Sequence, residues 1–147
     1  VENTLILISC GKLKLTGTHM AKDLYCSPMF IMSRAIAELK SDQWFILSAK
    51  HGVLKPCEMV ANYNHTMKDK AAEEVAEWNA LVTRQLEPFK KSEITVLAGG
   101  KYCGWIGNFK HINLPLKGLG MGYRCKWLSE TLTNHNQKTL WEKNITK

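Results

Sequence analysis

Four short stretches of the chain, SCGKLK from Ser9, SAKHG from Ser48, AGGKYCG from Ala98 and PLKGLGMGYR from Pro115, each place a lysine beside at least one glycine. Glycine lets a backbone approach a ligand closely and adopt positive φ, while lysine adds a mobile positive charge. The pairing suits a phosphate or carboxylate held on backbone amides. The candidate ligand-binding residues are therefore Ser9, Gly11 and Lys12, then Lys50, then Gly99, Gly100 and Lys101, then Lys117, Gly118, Gly120 and Gly122, with Arg124 following, where its planar fork suits a phosphate. The competing reading is plain: the glycines turn the chain and the lysines face water.

Groups able to move protons or attack an electrophile are fewer. His51, on a glycine turn, titrates near neutrality and can donate to an oxyanion or a departing base; it can equally be a structural histidine bonded to a nearby carbonyl. Cys10 is either a nucleophile, if Lys12 or a loop amide stabilises its thiolate, or a small thiol buried at the end of a strand. Asp23 is the carboxylate nearest the first loop, placed to orient water or steady a developing positive charge, or else to bond backbone amides near a turn. Tyr25 and Ser27 lie close enough in sequence to line the same cavity, with Tyr25, and similarly Tyr63, as a platform for a base; Arg34 reads as a helix-surface residue. The spacings of His51, Cys57 and His65 match no tight pair of zinc ligands, so no metal and no cofactor is expected.

These groups need a scaffold, and the apolar pattern supplies one. Leu5 to Ser9, Trp44 to Ser48 and Ile94 to Leu97 are short continuous apolar runs, as strands buried on both faces should be; a fourth extended piece lies near His111 to Leu114. Between them, Ser27 as N-cap with Pro28 at the first helical position predicts a helix with Met29, Met32, Ile36 and Leu39 on one face. Thr66 and Asp69 resemble a capping box opening the longest helix, which carries Trp78, Val82 and Leu86 to Pro88. A short helix is expected within KYCGWIGNF, where Trp105 and Phe109 either form an exposed partner patch or finish the core, the commoner place for aromatics at that spacing. A last helix follows the glycines with Trp127, Leu128 and Leu132 buried. The segment from Ala49 to His65 reads as a loop large enough for an active site.

Strands alternating with helices predict the α/β class: a single Rossmann-like three-layer domain of about four mostly parallel strands, with helices on both faces and right-handed crossovers. The domain is expected to span 1–134, with a polar tail over 135–147 that has room for a short helix. In such sheets ligands bind outside the carboxyl ends of the strands, where the four glycine–lysine stretches fall.

The 147 residues, 45% of them hydrophobic, suit one core. No apolar run reaches the roughly 20 residues that cross a bilayer, and no secretory signal is visible at the N-terminus. Five cysteines without CxxC spacing read as reduced thiols, so the expected location is the cytoplasm of a bacterium or a phage-infected host. The 20 Lys and Arg against 13 Asp and Glu leave +7, a field that attracts nucleotides or nucleic acid. GLGMG lacks the GxGxxG spacing and follows the last strand rather than the first, and SCGKLKLTG cannot be laid on a P-loop. A dinucleotide fingerprint and an ordinary NTPase are thereby set aside.

Taken together, LILISCGKLK, AKDLYCSPMF, WFILSAKHGVLKP, VLAGGKY and LPLKGLGMGYRCKWL resemble a family of small bacterial and phage domains described as YaaA-like. The first two blocks also resemble the core of archaeosine synthase, which is similar in architecture to uracil-DNA glycosylases. The resemblance implies chemistry at a nucleobase or its glycosidic bond, with Ser9, Cys10, Lys12, Asp23, Tyr25, Ser27 and His51 around the pocket. It departs at Asn64, where the family pattern often has Asp after Tyr, and Asn cannot act as a general base. The expectation is an enzyme acting on a nucleotide or on a base in nucleic acid, by N-glycosidic cleavage or base modification, with Asp23, His51 and Cys10 as catalytic candidates. The alternatives are a DNA-binding accessory that nicks DNA or acts on a host DNA-repair protein, and a non-catalytic sensor of a small nucleotide. None of these needs a membrane.

Overall fold

The computed structural model describes residues 4–41 and 43–145, with side chains as far as His135. In chain order the elements are β1 (Thr4–Ser9), β2 (Thr18–Met20), α1 (Ala21–Leu24), α2 (Pro28–Lys40), β3 (Trp44–Ser48), β4 (Gly52–Leu54), β5 (Met59–Ala61), α3 (Ala72–Gln85), β6 (Glu93–Leu97), β7 (Ile112–Asn113) and α4 (Met121–Ile145). A five-stranded sheet has the order β4-β3-β1-β6-β7, and a separate two-stranded ribbon pairs β2 with β5. β3, β1, β6 and β7 run parallel, whereas β4 is antiparallel to β3. The domain is thus α/β and Rossmann-like, with helices on both faces of a mostly parallel sheet.

β1 is buried on both sides because its side chains alternate between two cores. Ile6 and Ile8 face one core, with Phe30, Ile36 and Leu128 from α2 and α4. Leu5 and Leu7 face the other, with Trp78 and Val82 of α3 and with Trp105 and Phe109. Each fully buried aliphatic side chain contributes about 1.5–3 kcal/mol relative to exposure, so a polar substitution at Leu7 or Ile8, both 0% exposed, would break the sheet at its centre.

The four expected strands are present, and the differences lie between them. The segment after β3 is not an open loop throughout. Gly52, at φ +73°, turns the chain so that Gly52–Leu54 folds back on β3, pairing Ser48 with Gly52 and Ile46 with Leu54. Ser27 caps α2 as expected, its Oγ accepting from Phe30 N–H at 3.2 Å. The buried face of that helix is nevertheless Phe30, Ser33, Ile36 and Ala37, and Leu39 lies outside. Thr66 Oγ1 does meet the Asp69 carboxylate at 2.5 Å, but the pair opens a 3₁₀ turn, Met67–Asp69. α3 begins later, with Glu74 reaching back to the Ala71 N–H at 3.3 Å. KYCGWIGNF forms two 3₁₀ turns, Gly100–Tyr102 and Ile106–Asn108. α4, at 25 residues, is longer than the 14-residue α3, and the residues read as a polar tail are helical as far as Ile145.

The strand order fixes where a crevice must open. From β1 the chain crosses by α2 to β3 on one side; it then returns by α3 over the opposite face to β6 on the other side of β1. The loops leaving β1 and β6 therefore diverge to opposite faces of the sheet, and the space between them is the topological switch point.

Candidate functional site

A cavity of about 540 Å³ occupies that switch point. Ser9, Gly11, Lys12 and Leu13 reach it from β1, and Gly99, Gly100, Lys101 and Tyr102 from β6. Ser27 through Phe30 bring the first turn of α2, and Met121, Arg124 and Cys125 the first turn of α4. Two helix N-termini, each with a partial positive charge, thus border a space already lined by two lysines and an arginine. Among the described residues no carboxylate lines it, and no ion pair includes Lys12, Lys101 or Arg124. Three cationic side chains around a half-enclosed space make a positive local field, a setting in which an anion could be held.

Local structure positions each of these groups. Gly11, at φ +73°, lies against the Ser27 side chain and brings the β1 loop onto the α2 N-terminus. Arg124 is held by its Nε donating to Leu119 O at 2.8 Å, while its N–H closes the first turn of α4 on Gly120 O at 2.9 Å. A β-carbon on Gly99 would stand 2.9 Å from Arg124 Nη1, so the guanidinium rests against backbone. The apolar part of the lining is Leu13, Pro28, Met29, Phe30 and Met121.

Behind the cavity runs a chain of buried hydroxyls. Ser48 Oγ accepts the N–H groups of Lys50 and His51 at 3.2 and 3.1 Å, which directs its own proton to Tyr63 Oη at 2.6 Å. Tyr63 Oη lies 2.5 Å from Tyr25 Oη. A separate pair, Cys10 Sγ and Tyr102 Oη at 3.6 Å, stands at the cavity wall, which Tyr102 lines. Burial pushes the Tyr25 phenol up to about 12, opposed by the hydrogen bond from Tyr63. Burial first, then the nearby Cys10, raises Tyr63 and Tyr102 as well, so all three stay protonated donors at any ordinary pH.

Of the residues singled out in the sequence, Ser9, Gly11, Lys12, Ser27, Gly99, Gly100, Lys101 and Arg124 meet in the cavity. Cys10 and Tyr25 are buried, at 1% and 2% exposure, so the thiol lies behind the wall and the Tyr25 ring packs on Phe30 at 5.3 Å. Lys117, Gly118, Gly120 and Gly122 do not line the cavity; their loop acts at one remove by setting where α4 begins and so where Arg124 points. Asp23 sits in a separate depression, its carboxylate 3.0 Å from Arg34 Nη1. Lys50 and His51 stand at the end of β3 beside Tyr63, outside the cavity lining. Burial, then the Lys50 charge, lowers the His51 pKa, with Glu58 opposing.

Sequence reasoning missed the apolar lining and Tyr102. Met29 carried a helix-face signal and Phe30 was not singled out, and nothing in their spacing told that the first turn of α2 opens onto a ligand space. Among the described residues no group of three or more His, Cys, Asp or Glu could hold a metal ion, and no helix is long and apolar enough to cross a membrane.

A Rossmann-like α/β domain with a cation-lined cavity at its switch point is the class that fold and site define. The chain belongs to a family of unknown function, DUF6884, whose model matches residues 5–130. It is 31% identical over 146 residues to the uncharacterized protein YfjM of Bacillus subtilis, an alignment covering 90% of this chain and 97% of that protein. No solved structure matches it.

Proposed function

We propose that the protein acts on a nucleotide, free or within nucleic acid, bound in the switch-point cavity, and that the chemistry falls on the nucleobase or its glycosidic bond. The observation that carries this reading is the lining itself. Lys12, Lys101 and Arg124 converge from three elements on one space, without an acidic partner among the described residues, and share it with apolar side chains. A phosphate suits the first half of that lining and a flat base the second. The motif likeness to the archaeosine synthase core supports base chemistry, and the unpaired thiols support a reducing, cytoplasmic setting.

In this reading the negative charge that develops on a departing base is stabilised by fixed cations and by the protonated Tyr102 phenol. His51 and Asp23 do not line the cavity, so a reaction centred there draws on them only from a distance. That same fact favours a second reading, a sensor that holds a small nucleotide without turnover, because no carboxylate among the described residues lines the cavity to activate water.

Calorimetry against a panel of nucleoside monophosphates, with mass spectrometry of the mixture after incubation, tests both. Binding that falls at least tenfold in Lys12→Gln/Lys101→Gln supports the cavity, and release of free base or a mass change in the nucleotide supports the enzyme. Binding without any product supports the sensor, and no binding to any nucleotide removes both readings.

A further inference from the structure

The cavity does not use all the positive charge at this edge of the sheet. Lys14 Nζ lies 4.6 Å and Lys50 Nζ 5.7 Å from the centre of the Tyr63 ring. The rings of His51 and His65 meet Tyr63 edge-on, with centroids at 5.3 and 6.1 Å. Four basic side chains from three separate segments thus gather on one aromatic ring. None of them takes part in an ion pair among the described residues, where the pairs are Arg34 with Asp23, Arg34 with Glu38, and Lys90 with Glu87.

The two lysine charges collect in this way against their own repulsion, and contact with the ring offsets only part of it. Glu58 is the acid that acts on His51, and it is outweighed there by burial and Lys50. The cluster is also tied to the cavity. Lys14 Nζ donates to the carbonyl of Lys12 at 3.3 Å, and the Lys12 side chain lines the cavity. Lys12 and Lys14 lie two residues apart on the loop that leaves β1, so the cluster and the cavity are neighbours along the chain as well as through this hydrogen bond.

We propose that Lys14, Lys50 and His51, gathered on Tyr63, form a second phosphate subsite, and that the ligand is therefore a nucleotide within a single strand whose flanking phosphate rests there. This rests on the nucleotide reading of the cavity and names its substrate class. A free mononucleotide fills the cavity alone; a strand engages both sites.

The test compares a fluorescein-labelled single-stranded octanucleotide of mixed sequence with the four nucleoside monophosphates, using the wild-type chain, Lys14→Gln/Lys50→Gln and Lys50→Glu, over a salt series. Urea midpoints establish that the variants are folded; Lys50→Glu, a single exposed change, keeps the comparison open if the double variant is not. The expected result is at least tenfold tighter binding of the octanucleotide than of any monophosphate. In both variants that ratio falls at least tenfold, and in Lys14→Gln/Lys50→Gln the log–log salt slope becomes shallower by about 0.7–1.4, the loss of one or two phosphate contacts on a single strand. A ratio and slope unchanged in the variants overturn the second subsite while leaving the cavity standing. Failure of the wild-type chain to bind any monophosphate or the octanucleotide overturns both.

Discussion

Gly11 lies so close to Ser27 that a β-carbon on it would stand 2.8 Å from Ser27 Oγ, the atom that caps α2. One glycine thereby joins the β1 loop to the helix N-terminus that borders the cavity. With φ at +73°, Gly11→Ala strains the backbone and displaces the cap together. A loss of about 2 kcal/mol is expected, about 1 from each source, read as a lower urea midpoint with an unchanged m-value. A variant as stable as the wild type would mean that the loop and the cap are independent.

Gly99 makes the complementary prediction. Its backbone is extended, at φ −73° and ψ 164°, so alanine fits the chain and conflicts only with the Arg124 guanidinium. Gly99→Ala should change stability by no more than about 0.5 kcal/mol. It should weaken nucleotide binding about tenfold, as loss of a hydrogen bond to a charged group would. Calorimetry showing full affinity would place Arg124 outside the ligand's reach.

The buried hydroxyls make a prediction about stability alone. Tyr63→Phe removes the acceptor of the Ser48 hydroxyl and the partner of Tyr25 while keeping the ring that packs against His51. Leaving those groups unsatisfied costs about 1–3 kcal/mol, measurable by chemical denaturation. Tyr25→Phe, at the other end of the chain, should cost less, because Ser48 and Tyr63 keep each other.

His51 carries the pH dependence. Its folded pKa lies below the ordinary 6.5, so the unfolded chain binds that proton more tightly. Stability from this residue is present above pH 6.5 and is lost as pH falls through the lowered value. His51→Gln should flatten that part of the pH profile of the urea midpoint. An anion over the cluster facing His51, which contains Lys50, His65, Glu58 and Tyr63, should reverse the shift. An NMR titration with the octanucleotide bound then shows the His51 pKa moving up, and no upward movement would argue against phosphate there.

The sheet was legible because strands buried on both faces announce themselves as unbroken apolar runs: Leu5 to Ser9 and Trp44 to Ser48 appear nearly as read. β4 was hidden by Gly52, which reads as a loop residue and in fact makes the turn that lets it and the next two residues pair. The cavity was legible in part because the loops after β1 and β6 must meet once β1 is central. The loop after β3 follows the same glycine–lysine rule, yet its lysine goes to Tyr63, because strand order, which local sequence does not encode, decides which loops are neighbours. Asp23 shows the limit of sequence proximity: it lies near the first loop along the chain, and Arg34, one face of a helix away, claims its carboxylate.

Backbone amide NMR of the protein titrated with a nucleoside monophosphate tests the cavity most directly. Shifts should concentrate at Gly11, Lys12 and Leu13, at Gly99 through Tyr102, and at Met121 through Cys125, and should vanish in Lys12→Gln/Lys101→Gln. Shifts confined to the depression around Asp23 and Arg34, or spread thinly over the surface lysines, would contradict a nucleotide site between β1 and β6.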